Sequence, residues 1–175
     1  MREKYLGDSF DIVKRFWADR LSTIAPLLAH PRFVPSHIRA AFEKMVAMPV
    51  LDLRAPPKGQ FGLFLDPHTG IPLPSAAGQK PPASHAPLSF IEVELERLEA
   101  RYLICFDQSH DRSCGLSHTQ QRDRKRNALR VKGVASFYYV SHAPFLFAAR
   151  DTVTLESVRR RLVESGIPAV RFESQ

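Results

Sequence analysis

The sequence predicts an α/β fold, because helical and strand patterns alternate along its 175 residues. Two short runs of consecutive apolar residues, 61–65 and 102–106, have the composition of strands that are covered on both faces. The segments between them place apolar residues at helical spacing, which is typical of crossovers between parallel strands. An apolar fraction of 44% suits a single domain over residues 1–175 with a sizeable core.

The first helix is predicted from Asp8 to Leu21, where apolar residues repeat on one side and charged residues on the other. We expect Asp8 to cap this helix and Asp11 to pair with Arg15 one turn later. A short strand over 23–29 and a second helix over 36–47, capped by Ser36, follow.

Each of the two apolar strands ends at an aspartate. Residues 61–65 run into Asp66, and residues 102–106 run into Asp107. Between them, the segment 71–87 contains five prolines and several alanines but no apolar periodicity, so we predict a long mobile loop. A helix over 88–100 then leads into the second strand.

The carboxyl-terminal part predicts further alternation, with the turn 141–144 between two strands and Gly166 ending the last helix. Its predicted elements are a helix over 117–132, strands over 137–140 and 145–148, a helix over 155–165 and a strand over 170–172. Together the elements predict a three-layer, Rossmann-like sandwich with a mostly parallel sheet and an antiparallel pair near the carboxyl end.

Ligands of open parallel sheets bind beyond the carboxyl ends of the strands, where Asp66 and Asp107 stand. If the two strands are neighbours, these carboxylates could ligate a divalent ion, Mg²⁺ or Mn²⁺, or act as an acid and base pair. His142, which follows a later strand, is the candidate for moving a proton. Each residue also has an ordinary interpretation, because Asp-Pro and Thr-Gly pairs are common in turns.

Other polar residues near these strand ends are predicted to contact the substrate. Arg112 is expected to hold a phosphate or another anion. Thr69, Gln108 and Ser109 are expected to bind the substrate beside it. Asp8 and Asp11 form a further carboxylate pair one helical turn apart, for which helix capping is the simpler explanation.

Most of the net charge of +7 lies between Arg101 and Lys132, where eight basic residues stand against three acidic ones. Such an excess attracts polyanions, nucleic acid above all, through phosphate contacts. A solvated helix face is the ordinary alternative. The cations expected to contact the polyanion are Arg122, Arg124, Lys125, Arg126 and Arg130.

The two cysteines, Cys105 and Cys114, are too few for a disulfide framework and agree with a reducing compartment. With His110 and His118 they offer zinc ligands, although the spacing is not a standard zinc pattern. No run approaches the roughly 20 apolar residues of a membrane span, and the amino terminus lacks an apolar signal stretch. We therefore expect a cytoplasmic protein without membrane contact.

Three spaced motifs carry a resemblance to a known group. They are Gly7-Asp8 with Asp11 and Lys14, then Leu65-Asp66-Pro67-x-Thr69-Gly70, then Phe106-Asp107-Gln108-Ser109 with Arg112. This set resembles a group of small bacterial proteins to which no function is assigned, so it implies no activity.

Two weaker resemblances concern single motifs. Gly7-Asp8-Ser9 with Asp107-x-x-His110 is similar to the active-site blocks of SGNH-type esterases, although only Tyr5 and Leu6 precede the first block and a long tail follows the second. Asp66-Pro67 after a strand is similar to the catalytic element of amino-methyltransferases, although Ala29-His30-Pro31 replaces a glycine-rich turn.

The sequence favours two classes of function. In the first, a metal-assisted phosphoester hydrolase acts on nucleic acid, with Asp66 and Asp107 as ligands, Arg112 on phosphate and His142 moving a proton. In the second, a non-catalytic protein binds a polyanion through the helix 117–132, and the aspartates only form turns.

Overall fold

Five helices and six strands make up the computed structural model, which describes residues 6–57, 60–74 and 84–173. The helices are α1 (Ser9–Leu21), α2 (Arg39–Val46), α3 (Leu88–Arg97), α4 (His118–Val131) and α5 (Thr152–Glu164). The strands are β1 (Leu27–Ala29), β2 (Gly62–Leu65), β3 (Tyr102–Phe106), β4 (Ala135–Tyr139), β5 (Phe145–Ala149) and β6 (Phe172–Glu173). The predicted α/β class is confirmed.

The strands form one open mixed sheet in the order β1-β2-β3-β5-β4-β6. The pairs β1–β2 and β2–β3 are parallel, while β3–β5, β5–β4 and β4–β6 are antiparallel. Antiparallel pairing therefore extends over more of the sheet than the single pair that the sequence predicted. Because β4 runs in the same direction as β3, the carboxyl ends of β1, β2, β3 and β4 share one edge.

Alternate residues of the strands pack into two separate hydrophobic clusters. Phe64 and Ile104 belong to the first cluster, which includes Trp17 of α1. Leu63 and Cys105 belong to the second, which includes Leu129 of α4. This alternation follows from the two-residue period of a strand, so the direction of any side chain at a strand end can be inferred from the residues before it.

Side-chain caps fix where three helices begin. Asp8 caps α1 by accepting from the amides of Phe10 and Asp11, as predicted. Ser117 and Gln120 form a reciprocal capping box at the start of α4. Asp151 accepts from the Thr154 amide, so α5 begins three residues before the predicted start.

Two amino-terminal predictions need correction. The predicted strand over 23–29 is reduced to β1, because the chain after α1 first makes a helical turn that is hydrogen-bonded back to Leu21. Ser36 is not a helix cap: it begins a short 3-10 turn, and α2 starts at Arg39 without a side-chain cap. Ala47, with a φ of 55°, ends α2 in the left-handed conformation.

The predicted loop over 71–87 falls only partly within the described residues. Its ends, 71–74 and 84–87, contain no helix or strand, and residues 75–83 lie outside the described part of the chain. The Ala86 amide donates to the Gly70 carbonyl, and the His68 amide donates to the Ser84 carbonyl. These bonds hold the two ends of the loop together beside β2.

Within residues 6–57, 60–74 and 84–173, no helix has the length and apolar character needed to cross a membrane.

Candidate functional site

Asp66 and Asp107 follow the neighbouring parallel strands β2 and β3, and each is only 4% exposed. Their side chains nevertheless point to opposite faces of the sheet. Asp66 lies two residues after Phe64 and faces α1, whereas Asp107 lies two residues after Cys105 and faces α4. The shared edge therefore carries two separate polar clusters.

The first, which we call the Asp66 cluster, consists of Asp11, Lys14 and Asp66. The Lys14 ammonium lies 2.9 Å from a carboxylate oxygen of each aspartate. Burial lowers the pKa of Lys14, but the charges of Asp66 and Asp11 outweigh it, so that the pKa is raised overall. The predicted pair of Asp11 with Arg15 is wrong, because Asp11 turns inward to Lys14 and Arg15 bonds a backbone carbonyl of α2.

The second, the Asp107 cluster, consists of Asp107, Ser109, Lys125 and Tyr138. Asp107 Oδ2 accepts from Lys125 Nζ and from the Tyr138 hydroxyl, both at 2.7 Å. Asp107 Oδ1 accepts from the Ile71 amide at 2.8 Å and from the Ser109 amide and hydroxyl at 3.1 and 2.7 Å. Lys125 Nζ also donates to Ser109 Oγ at 2.8 Å. Burial, and then the charge of Asp107, raises the pKa of Tyr138.

Gly70 lets the loop after β2 pack on Asp107. Its φ is 88°, and a Cβ at this position would lie 2.5 Å from Asp107 Oδ1 and 2.8 Å from the Ser109 amide nitrogen. A side chain there would therefore meet both a left-handed backbone and a filled space. The Thr69-Gly70 pair, which the sequence suggested as a turn, shapes the Asp107 cluster.

The arrangement offers little room for one divalent ion shared by Asp66 and Asp107. Each carboxylate holds a lysine ammonium at the place that a cation would take, and the two face opposite ways. The described residues also contain no group of three or more His, Cys, Asp or Glu side chains placed to hold a metal ion. A Mg²⁺ or Mn²⁺ site at these residues stays a prediction.

A cavity of about 1060 Å³, which we call the wide cavity, opens beside the carboxyl ends of β2 and β3. Three of the four predicted substrate-binding residues line it: Thr69, Gln108 and Ser109. Arg124 of α4 and Lys132, the residue that follows α4, line the same cavity. The wide cavity therefore places exposed cations close to the predicted contact residues.

A second cavity of about 550 Å³, the edge cleft, shares Gln108 and Ser109 with the wide cavity and is also lined by Asp107 and His142. The structure thus brings four predicted site residues into one cleft. Asp66 lines neither the wide cavity nor the edge cleft. Arg112 is exposed and also lines neither, although it lies near enough to His118 for its charge to lower the pKa of that imidazole.

Sequence reasoning missed the inward role of Lys125. The sequence predicts it as one of the cations that contact a polyanion, yet it is 1% exposed and supplies the positive charge beside Asp107. A signal was present, since Gln121, Lys125 and Leu129 recur every four residues and form the buried stripe of α4. The sequence indicates Lys14 only as part of the motif with Gly7-Asp8 and Asp11, and it indicates Tyr138 only as a residue of the predicted strand 137–140.

The alternatives based on Cys105, His110 and Asp107 gain no support from these contacts. Cys105 lies buried in β3 and donates to a backbone carbonyl, and Cys114 donates to the Asp111 carbonyl. His110 stacks on His118, with ring centroids 3.7 Å apart, rather than bonding to Asp107 as an esterase triad would need.

The fold and the two clusters define an α/β protein with an open mixed sheet and a polar site at the carboxyl ends of its parallel strands. Comparison with known protein families, with curated proteins and with solved structures found no match for this chain. Only the residues of the site therefore bear on the function.

Proposed function

We propose that this protein binds a phosphate-bearing polyanion, nucleic acid in particular, along the outer face of α4. The observation that carries the proposal is the division of the α4 cations into an inner set, each bound to a carboxylate, and an exposed outer set. Exposed cations without an internal partner are the groups that can neutralise phosphates and release counterions.

The inner set consists of Arg122, Lys125 and Arg126. Arg122 makes two bonds to the Glu173 carboxylate, at 2.7 and 2.8 Å. Lys125 pairs with Asp107, and Arg126 pairs with Asp123. Because these charges are already compensated, we assign them to the internal structure, although the sequence had suggested them as polyanion contacts.

The outer set consists of Arg124, Arg130 and Lys132, joined by Arg112 from the preceding loop. All four are exposed, and none forms a salt bridge with a carboxylate among the described residues. Arg124 and Lys132 are eight residues apart, about 12 Å along the helix axis at 1.5 Å per residue. Both line the wide cavity, so a bound chain would pass next to Gln108 and Ser109.

Fluorescence anisotropy with a labelled single-stranded RNA and a labelled duplex DNA, over a series of salt concentrations, tests the proposal. The triple variant Arg124→Ala, Arg130→Ala and Lys132→Ala is expected to weaken binding and to reduce the slope of log K against log salt by about two to three.

The matched control removes the same charge from the face formed by α1 and α5: Arg20→Ala, Arg159→Ala and Arg160→Ala. These side chains pair with neighbouring carboxylates on their own helices. The control should bind like the wild type. Equal losses in both triple variants, or the absence of salt-dependent binding by the wild type, would contradict the proposal.

A phosphoester hydrolase is the second candidate function. It is favoured by the edge cleft, where His142 joins Asp107, Gln108 and Ser109. An imidazole at the lip of a cleft can move a proton near neutral pH. The lack of a common site for Asp66, Asp107 and Arg112 argues for a form of this chemistry in which His142 rather than a metal ion acts on the substrate.

The proposal includes two further expectations. The Rossmann-like, three-layer arrangement is supported by the two hydrophobic clusters, one with residues of α1 and α5 and the other with residues of α3 and α4. A cytoplasmic location is supported by the free thiols of Cys105 and Cys114, which suit a reducing compartment.

A further inference from the structure

The edge cleft contains a second histidine that sequence reasoning had not connected with His142. His118 is the first residue of α4, and His142 lies in the turn between β4 and β5. Both are exposed, and both line the edge cleft together with Ser109 and Lys125 of the Asp107 cluster. Two imidazoles from different elements therefore face one cavity of a size typical of ligand sites.

We propose that the edge cleft cleaves RNA without a metal ion, with His118 as the general base and His142 as the general acid. This inference rests on the proposed function, because a phosphate chain must first be held along α4. It adds the substrate class, a ribonucleic acid rather than DNA, and the identity of the reacting groups.

The surroundings of His118 suit the role of a general base. Partial desolvation and the neighbouring His110 ring lower the pKa of His118, and the charges of Arg122, Lys125 and Arg112 act in the same direction. A neutral imidazole can accept a proton. These are the groups that face His118 from the loop before α4 and from α4 itself.

The ring of His142 packs face to face with an aromatic side chain of α1. It stacks on Phe10 of α1 with centroids 5.7 Å apart and an angle of 25°, and Phe10 in turn contacts Phe106 of β3. No described residue forms a hydrogen bond with either ring nitrogen of His142 in this arrangement. Stacking fixes the plane of the ring and leaves its nitrogen-bearing edges, which are unbonded to any described residue, available to a substrate in the cleft.

The substrate and the two imidazoles account for every bond and proton of the proposed reaction. His118 takes the proton of a ribose 2′-hydroxyl as the 2′-oxygen forms a bond to the adjacent phosphorus. The bond from phosphorus to the 5′-oxygen of the next nucleotide breaks, and His142 gives its proton to that oxygen. The products are a 2′,3′-cyclic phosphate and a free 5′-hydroxyl, and no water, electron or further reactant is used.

One exposed residue and one buried ion pair of the cleft bear on the charge that develops on the phosphate. Exposed Gln108 lines both the edge cleft and the wide cavity, and a preorganised donor at such a place stabilises a phosphoryl transition state. Lys125 also lines the cleft, but its ammonium is buried against Asp107 and Ser109. Attack by the 2′-hydroxyl also fits a cleft in which the carboxylate of Asp107 is neutralised by Lys125 and is not free to activate water.

The test measures cleavage of a labelled RNA and of DNA of the same sequence in the presence of EDTA, with products identified by mass. We expect the RNA alone to be cut, leaving 2′,3′-cyclic phosphate ends. His118→Asn and His142→Asn should each lower the rate by about 10²-fold to 10⁴-fold. His37→Asn, at an exposed histidine outside the edge cleft, is the matched control and should retain the wild-type rate.

Each other outcome overturns the inference. Loss of cleavage in EDTA, cleavage of DNA, or wild-type rates in both histidine variants after identical purification would assign the activity to other chemistry or to a contaminant. Salt-dependent RNA binding without cleavage would overturn this inference and leave polyanion binding intact. Absence of RNA binding would contradict both the proposed function and this inference. Because His118 and His142 are exposed, circular dichroism should confirm that the variants fold.

Discussion

The Asp66 cluster and the Asp107 cluster begin with the same local design, in which an aspartate follows a buried strand and is paired with a helix lysine. They differ in what surrounds the pair. Lys14 is held between two aspartates under α1, whereas Lys125 shares its ammonium between Asp107 and the hydroxyl of Ser109. Only the Asp107 cluster lines the edge cleft.

This difference is the basis for proposing a structural role for the Asp66 cluster and a role in ligand binding for the Asp107 cluster. A buried ion pair without access to a ligand holds a helix to a strand end and specifies its position. An ion pair of the same kind at the floor of a cleft also fixes the shape and charge that a ligand meets. The same residue pattern in sequence therefore predicts two roles, and only the opposite directions of the two side chains distinguish them.

The largest expected effect is the removal of either buried lysine. Lys14→Met leaves two buried carboxylates uncompensated, and Lys125→Met leaves one that still accepts from Tyr138, Ser109 and Ile71. Losing one member of a buried pair typically costs about 3 to 5 kcal/mol. We expect Lys14→Met near the upper figure and Lys125→Met near the lower one, measured by urea unfolding.

Lys132→Met is the matched control on the exposed end of α4 and should change stability by less than about 0.5 kcal/mol. Near-wild-type stability of Lys14→Met would show that the Asp66 cluster does not anchor α1. If Lys125→Met still folds, it should also lose RNA cleavage, because Lys125 lines the edge cleft and neutralises Asp107 there. A stabilised Lys125→Met that keeps the wild-type cleavage rate would contradict the distinction between the clusters.

The next effect comes from Gly70. Gly70→Ala combines a left-handed backbone with a Cβ 2.5 Å from Asp107 Oδ1, so we expect a loss of about 2 to 4 kcal/mol. Gly133→Ala is the control, since its φ is also positive but nothing lies within 4 Å of the added Cβ. Its loss should be limited to the backbone strain, about 1 to 2 kcal/mol. Equal losses in both variants would show that Gly70 does not pack on Asp107.

Much of the fold could be predicted because local patterns decide it. The apolar run 102–106 predicts the limits of β3 as the structure has them, and Ser117, the predicted first residue of the next helix, is the residue that caps α4. The extent of antiparallel pairing could not be predicted, because strand order depends on contacts between distant segments. The insertion of β5 between β3 and β4 leaves no signal in the composition of any one strand.

The sequence predicts where the residues of the candidate site lie along the chain, but it does not predict which of their side chains meet. The sequence placed Asp66 and Asp107 at strand ends, yet their opposite directions depend on the register that pairs Leu65 with Cys105. Because adjacent residues of a strand alternate between faces, a difference of one residue in register decides whether two carboxylates meet. The partnership of His118 with His142 joins a helix start to a turn and has no spacing that a sequence search would detect.

The smallest effect is the alkaline dependence of stability, to which both clusters contribute with the same sign. The pKa of Lys14 is raised in the fold by Asp66 and Asp11 despite burial, and the pKa of Tyr138 is raised by burial and by Asp107. The unfolded chain releases these protons near the ordinary values, about 10, while the folded chain keeps them. Stability should therefore be constant from pH 7 to 9 as far as these groups are concerned and then fall.

Above pH 10 each group lowers the free energy of unfolding by about 1.4 kcal/mol per pH unit, until the pH exceeds its folded pKa. Tyr138→Phe removes one titrating group, so its stability should fall less steeply than that of the wild type between pH 10 and 11. Lys14 still titrates in that variant and leaves a residual slope. Urea unfolding at several pH values measures both. An unchanged slope in Tyr138→Phe would mean that the hydroxyl is not buried against Asp107, and the floor of the edge cleft would then be more open than the hydrogen bonds to Asp107 indicate.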